Sequence, residues 1–205
     1  AKVNKVLNAF NQFKRNLGII LSGDKDIGKS LFSKMLAQRG IEQGLPLIIA
    51  NCYIPGIGEY INSIEQEVIV LFDEFDKTFQ KCGDRDPQAE MLTLFDGIAQ
   101  GKKLFVVTCN DLRGLNNFLV NRPGRFHYHI RFEYPTDMEV KSYLEDQVPE
   151  CMYGEINKVI AFSHKVNLNY DCLRAIAFEL TIGSTFEDAI KDLNIIRIEK
   201  ETYNA

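Results

Sequence analysis

The 205-residue sequence predicts an α/β fold: a five-stranded parallel sheet between helices, followed by a small all-helical subdomain. Three observations carry this prediction. Five short apolar runs alternate with helically spaced segments over the first two-thirds of the chain. The first run ends in a glycine-bounded loop that opens straight into a helix. After Pro135 the strand-like runs stop and only helical patterns remain. Strands that are apolar without alternation are buried on both faces, which is the mark of a parallel sheet covered by helices.

The elements follow in order. The chain opens inside a helical pattern, with Val3, Val6, Leu7, Phe10 and Phe13 on one face, so the sequence reads as an excised piece of something longer. Gly18–Leu21 is a short buried strand, and a helix runs from about Lys29 to Arg39. Leu47–Ala50 is a second strand and Val68–Phe72 a third. Gln88–Ile98 has helical spacing in Met91, Leu92, Leu94, Phe95 and Ile98. Leu104–Thr108 is a fourth strand and Tyr128–Phe132 a fifth. Beyond Pro135, Asp137–Gln147, Tyr153–Lys165, Tyr170–Leu180 and Phe186–Leu193 read as helices punctuated by Pro149, Asn167–Asn169 and Gly183–Thr185. The expected division is a sheet domain at 1–134 and a helical subdomain at 135–205.

Composition narrows the function classes. The chain is 45% hydrophobic and 25% charged, enough to bury a core, so disorder throughout is excluded. No run of apolar residues is long enough to span a bilayer, and no membrane role is expected. The formal charge of −4, from 24 basic and 28 acidic residues, does not advertise a nucleic-acid binder. Five cysteines without a CxxC pair read as reduced thiols in a cytoplasmic setting rather than as disulfides or a zinc site.

The chemistry begins at Gly23-Asp24-Lys25-Asp26-Ile27-Gly28-Lys29-Ser30, a complete GxxxxGK[ST] phosphate loop, with Leu31 next in the helix. Its glycines let backbone N–H groups point at phosphate oxygens, and the helix N-terminus adds its positive end. Lys29 has the reach for β- and γ-phosphates, and the Ser30 hydroxyl suits magnesium. Asp24 and Asp26 would oppose a triphosphate if they faced it, so they are expected to face solvent. Downstream, Val68–Phe72 ends in Asp73-Glu74-Phe75-Asp76. An apolar strand closing on paired acids has the Walker B form: Asp73 for magnesium, Glu74 to polarise the attacking water. Both stand at the carboxyl end of a strand, where open α/β sheets bind ligands. Asp76 is expected to be a helix cap or a surface charge.

These motifs, with several others, resemble the AAA+ ATPases over nearly the whole chain. Met91–Gly97 is similar to the helix that follows Walker B in the family. Val106–Asn110, an apolar strand ending in Asn, resembles sensor 1. Asn121-Arg122-Pro123-Gly124-Arg125-Phe126 is close to the RPGRF element that carries arginine fingers, although His127 stands where the family has an acid. The C-terminal helices resemble the family's lid, and Tyr170–Arg174 its sensor 2 helix. The resemblance implies a Mg-dependent ATPase with Asn110 beside Asp73 and Glu74. It also implies Arg122 and Arg125 reaching a neighbour's γ-phosphate and Arg174 reaching the nucleotide from the lid. It implies a ring or spiral of identical subunits, hexameric, remodelling a protein or protein complex. A nucleic-acid loader or initiator is the alternative, with Lys14-Arg15 and Lys102-Lys103 lining a channel. The short connection from Asn51 to Gln66 leaves two readings of its tyrosines: Tyr53 or Tyr60 as an aromatic grip on a threaded chain, or local packing. His127 and His129 alternate on one strand face, where packing competes with a metal pair.

Overall fold

The computed structural model describes residues 2–81, 83–96, 101–120 and 124–195. Helix α1 (Lys2–Gln12) leads to β1 (Leu17–Ser22) and α2 (Lys29–Glu42). Then come β2 (Leu47–Ala50), α3 (Ile57–Ser63), β3 (Val68–Phe72), the single turn α4 (Phe75–Thr78) and α5 (Pro87–Asp96). Strand β4 (Lys103–Cys109), the short α6 (Asn117–Val120) and β5 (Tyr128–Arg131) follow. The remaining helices are α7 (Asp137–Gln147), α8 (Tyr153–Ser163), α9 (Tyr170–Thr181) and α10 (Phe186–Asp192). The five strands form one parallel sheet in the order β2-β3-β4-β1-β5. No helix among the described residues is long and apolar enough to cross a membrane.

Alternate residues of each strand feed two apolar layers. Val68, Val70 and Phe72 of β3 and Phe105 and Val107 of β4 face one layer, with Phe75, Phe79, Met91 and Phe95. Ile69, Leu104 and Val106 face the other, against Val6, Phe10 and Leu36 of α1 and α2. The first layer is an aromatic cluster. Phe72 meets Phe75, Phe79 and Phe95 edge to face, and Phe75 stacks on Phe79 at 4.4 Å. Such pairs add to area burial, and they pin α4 directly after the acidic strand end. On the same layer Phe95 meets Phe126 at 5.0 Å. Gly18 permits that approach, because a Cβ there would stand 2.2 Å from the Arg125 carbonyl oxygen.

The helices α3, α4 and α6 are absent from the sequence expectation. Helices α4 and α6 are four residues each, too short for a 3.6-residue period to register, and the seven-residue α3 buries one residue, Ile61, too few to mark a face. Helix α2 runs three residues past the expected Arg39, and Gly40 in that extension lies against the Ile69 side chain, where a Cβ would stand 2.2 Å from Cδ1.

The chain separates into two compact units. One is the chain as far as Asp24 with Gly28–Phe132; the other is Lys25–Ile27 with the chain from Glu133 onward. The second has its own core of Val140, Leu144, Val159, Leu173, Ile176 and Leu180. The division falls two residues before the expected 134, and the middle of the phosphate loop groups with the helices, where Tyr170 N–H donates to the Asp26 carbonyl at 3.0 Å. Helix α7 is started by a capping box: Thr136 Oγ1 accepts the Glu139 N–H while Glu139 accepts the Thr136 N–H.

Candidate active site

Parallel pairing sets the site. Phe72 of β3 lies opposite Val107 of β4, and Ser22 of β1 opposite Cys109. The residues that leave these strands, Gly23, Asp73–Glu74 and Asn110, therefore emerge at one edge of the sheet.

The loop from β1 turns on left-handed backbone at Gly23 (φ 137°), Asp26 (φ 59°) and Gly28 (φ 110°). Gly28 caps α2 without a side-chain hydrogen bond, leaving the first N–H groups of a 14-residue helix for an anion. Lys29 is buried, and its Nζ donates to the Gly23 and Asp24 carbonyls, both at 2.5 Å, and to Asn110 Oδ1 at 3.1 Å. That last bond joins the phosphate loop to the end of β4. Asp24, Lys25, Asp26, Ser30 and Leu31 are exposed, while Ile27 is buried.

The acidic strand end is organised by a residue the sequence reading passed over. Thr108 is buried in β4, donates its hydroxyl to Asp73 Oδ1 at 2.7 Å and accepts the Glu74 N–H at 2.8 Å. One side chain thus orients both acids. Glu74 sits on left-handed backbone (φ 45°, ψ 47°) that costs a non-glycine residue roughly 1–2 kcal/mol. Its carboxylate meets Lys77 Nζ at 2.7 Å.

Asp76 is not the cap or surface charge expected. It is buried, and its Oδ2 accepts the Asn110 N–H at 3.0 Å and the Asp111 N–H at 3.4 Å. Gln88 of α5, also buried, grips the same loop further on, donating to the Gly114 carbonyl and accepting the Asn116 N–H. Between them, burial and the Asp76 charge push the Cys109 thiol up to about 12. Thr108 carries a readable signal, a lone hydroxyl closing an otherwise apolar strand. Asp76 carries one only once its register against β4 is known.

The arginines are placed differently from one another. Arg125 is buried in its own chain: its guanidinium makes a two-pronged contact with Asp96 and donates to the Phe118 carbonyl at 2.5 Å. Asp96 raises its pKa further. The expectation that Arg125 reaches a neighbour requires it to leave these partners. Arg122 lies outside the described residues. Arg174 is on the exposed side of α9, bonded to Asp171 at 2.7 Å. Two further expectations gain detail. Tyr53 packs edge to face on Phe79 and hydrogen-bonds Glu90, whereas Tyr60 is exposed. His127 packs against Phe13 and Tyr128.

Residues 19–134, more than half of the chain, match the family model described as "ATPase family associated with various cellular activities (AAA)". The chain belongs to the AAA family. No curated protein matches it. An AAA ATPase binds ATP with Mg2+, and the donors here suit that cation: an exposed Ser30 hydroxyl at the start of α2 and the Asp73 carboxylate bonded by Thr108 offer hard oxygen atoms. Lys102 and Lys103, which the nucleic-acid alternative of this AAA chain would use, are spent on its own backbone. Lys102 donates to the Phe10 and Phe13 carbonyls, and the fully buried Lys103 to those of Ile64 and Gly101.

Proposed function

We propose that this AAA chain hydrolyses ATP as a ring or spiral of identical subunits, six in number, and uses the cycle to remodel a protein or protein complex. The observation that carries the hydrolytic part is Thr108 bridging Asp73 and Glu74 beside the Lys29–Asn110 contact. A phosphate cradle and an oriented pair of acids meet at one sheet edge.

In this reading the N–H groups of Gly23–Ser30 and the start of α2 hold the β- and γ-phosphates, and Lys29 exchanges its carbonyl partners for phosphate oxygens. Ser30 and Asp73 would hold Mg2+, which when bound neutralises phosphate charge. Glu74 accepts a hydrogen bond from the attacking water, and Asn110 orients that water. The water oxygen bonds to the γ-phosphorus as the bond to the β–γ bridging oxygen breaks, and the water's proton passes by way of the Glu74 carboxylate to solvent, giving ADP and phosphate. Arg122, and Arg125 if it leaves Asp96, would stabilise the transferring group on the adjoining subunit. Arg174 is assigned to the nucleotide from the resemblance of its helix. The exposed Tyr60, rather than the packed Tyr53, is the aromatic available to grip a threaded segment. Cys52, Cys109, Cys151 and Cys172 are free thiols, which supports a reducing, cytoplasmic location.

The test is phosphate release against protein concentration, with particle mass followed by light scattering, with and without DNA. Glu74→Gln is expected to bind ATP yet lose ~100-fold or more in turnover. Turnover like that of the wild type would remove Glu74 from its role. A rate per subunit that does not rise with assembly would remove the ring. Stimulation by DNA that fades with salt would move the substrate class to nucleic acid.

A further inference from the structure

We infer that Asp76 is a positioning residue of the hydrolytic site: its carboxylate fixes the backbone from which Asn110 presents its side chain. This rests on the reading of Glu74 and Asn110 given above.

Asp76 is 9% exposed and has no ion-pair partner among the described residues. Burying a carboxylate without a cation is costly, and backbone N–H donors offset the cost only in part. One oxygen, Oδ2, receives both such donors, from Asn110 and Asp111; the other, Oδ1, is buried with no hydrogen-bond partner among the described residues. The aromatic cluster through Phe75 and Phe79 already anchors α4 on both sides of Asp76. An apolar residue would serve that anchoring better, so the acid has work at the other end of its side chain.

That end is the first turn of chain beyond β4. Asn110 gives its N–H to Asp76 while its Oδ1 accepts from Lys29 Nζ. Gly114 of the same loop packs on Asp76, since a Cβ at Gly114 would stand 3.0 Å from the Asp76 Cβ. Thr108, two residues before Asn110, holds Asp73 and Glu74. Within 108–111, positions 108, 110 and 111 are therefore bonded to the three acids of Asp73-Glu74-Phe75-Asp76. Thr108 sets the two acids that act on magnesium and water, and Asp76 sets the asparagine beside Lys29. A small displacement of such a group is enough to slow an aligned reaction ~100-fold.

The experiment is steady-state ATP hydrolysis by the full chain, with nucleotide binding by a fluorescent ATP analogue and denaturation midpoints alongside. Asp76→Ala is expected to lower kcat ~10-fold or more with KM changed less than ~3-fold. Asp76→Asn keeps an acceptor for both N–H groups and is expected to recover kcat to within ~3-fold. In an Asn110→Ala background, Asp76→Ala is expected to add less than ~2-fold, because the two act as a unit. If Asp76→Ala does not fold, Asp76→Glu replaces it; the longer side chain keeps the charge and acceptors but pushes the loop, so kcat should fall in the same way. Unchanged kcat in the folded variant, or a full multiplicative loss in the Asn110→Ala background, would overturn the inference while leaving the site reading intact. A wild-type chain that releases no phosphate at any concentration would overturn both.

Discussion

Thr108→Val is the sharpest single test of how the acids are held. The two side chains have nearly the same shape, and the position is 1% exposed, so the change removes a hydroxyl and little else. Two hydrogen bonds go with it, the 2.7 Å bond to Asp73 and the 2.8 Å bond from Glu74 N–H. A bond to a charged group contributes about 1.5–3 kcal/mol and a neutral one about 0.5–1.5 kcal/mol, so the loss is about 2–4.5 kcal/mol of stability. The Glu74 N–H is left without its acceptor while its backbone stays on a strained left-handed turn, so the loop should relax toward ordinary φ and carry the carboxylate with it. A misplacement of about 1 Å predicts a fall in kcat of ~100-fold. The assay is phosphate release at saturating ATP together with urea denaturation. Thr108→Ser restores the hydroxyl and should return kcat to within ~3-fold. A Val variant that loses stability but keeps kcat would refute the reasoning, because the hydroxyl would then join strands without setting the acids.

Two further outcomes follow from buried groups. Burial lowers the Lys103 pKa. Between the folded value and the ordinary value of 10.5 the unfolded chain binds more protons, so wild-type stability should rise with pH in that window relative to Lys103→Met; thermal melts across the alkaline range check the sign. Cys109, with its thiol pushed up to about 12, should resist iodoacetamide at pH 8.5 while the exposed Cys52 and Cys151 react, and peptide mass spectrometry should find Cys109 labelled only after unfolding. Early labelling of Cys109 would mean that the end of β4 opens in the native state.

What was legible in the sequence was whatever rests on periodicity or contiguous spacing. The five strands are contiguous apolar runs, the longer helices repeat at 3.6 residues, and the phosphate loop and acidic strand end are each written in consecutive residues. Asp76 and Thr108 were not legible in that way. Their roles depend on β3 and β4 being neighbours with Phe72 opposite Val107, and single-chain spacing does not encode which strands pair. Arg125 shows the same limit: Asp96, 29 residues earlier, holds its guanidinium where Phe95 packs on Phe126, a pairing that spacing along the chain does not encode. Asp24 and Asp26, which the sequence places facing solvent, are exposed, the ordinary outcome for acids in a loop.

The left-handed backbone at Glu74 has a consequence for how this chain can change over generations. Glycine adopts φ near 45° without strain, so replacing Glu74 by glycine would relieve roughly 1–2 kcal/mol of local cost while deleting the carboxylate. Thermal endurance and turnover therefore pull this one position in opposite directions. A library of variants selected only for surviving heat would drift toward glycine or asparagine here, and the group lost first would be the carboxylate proposed to meet the water.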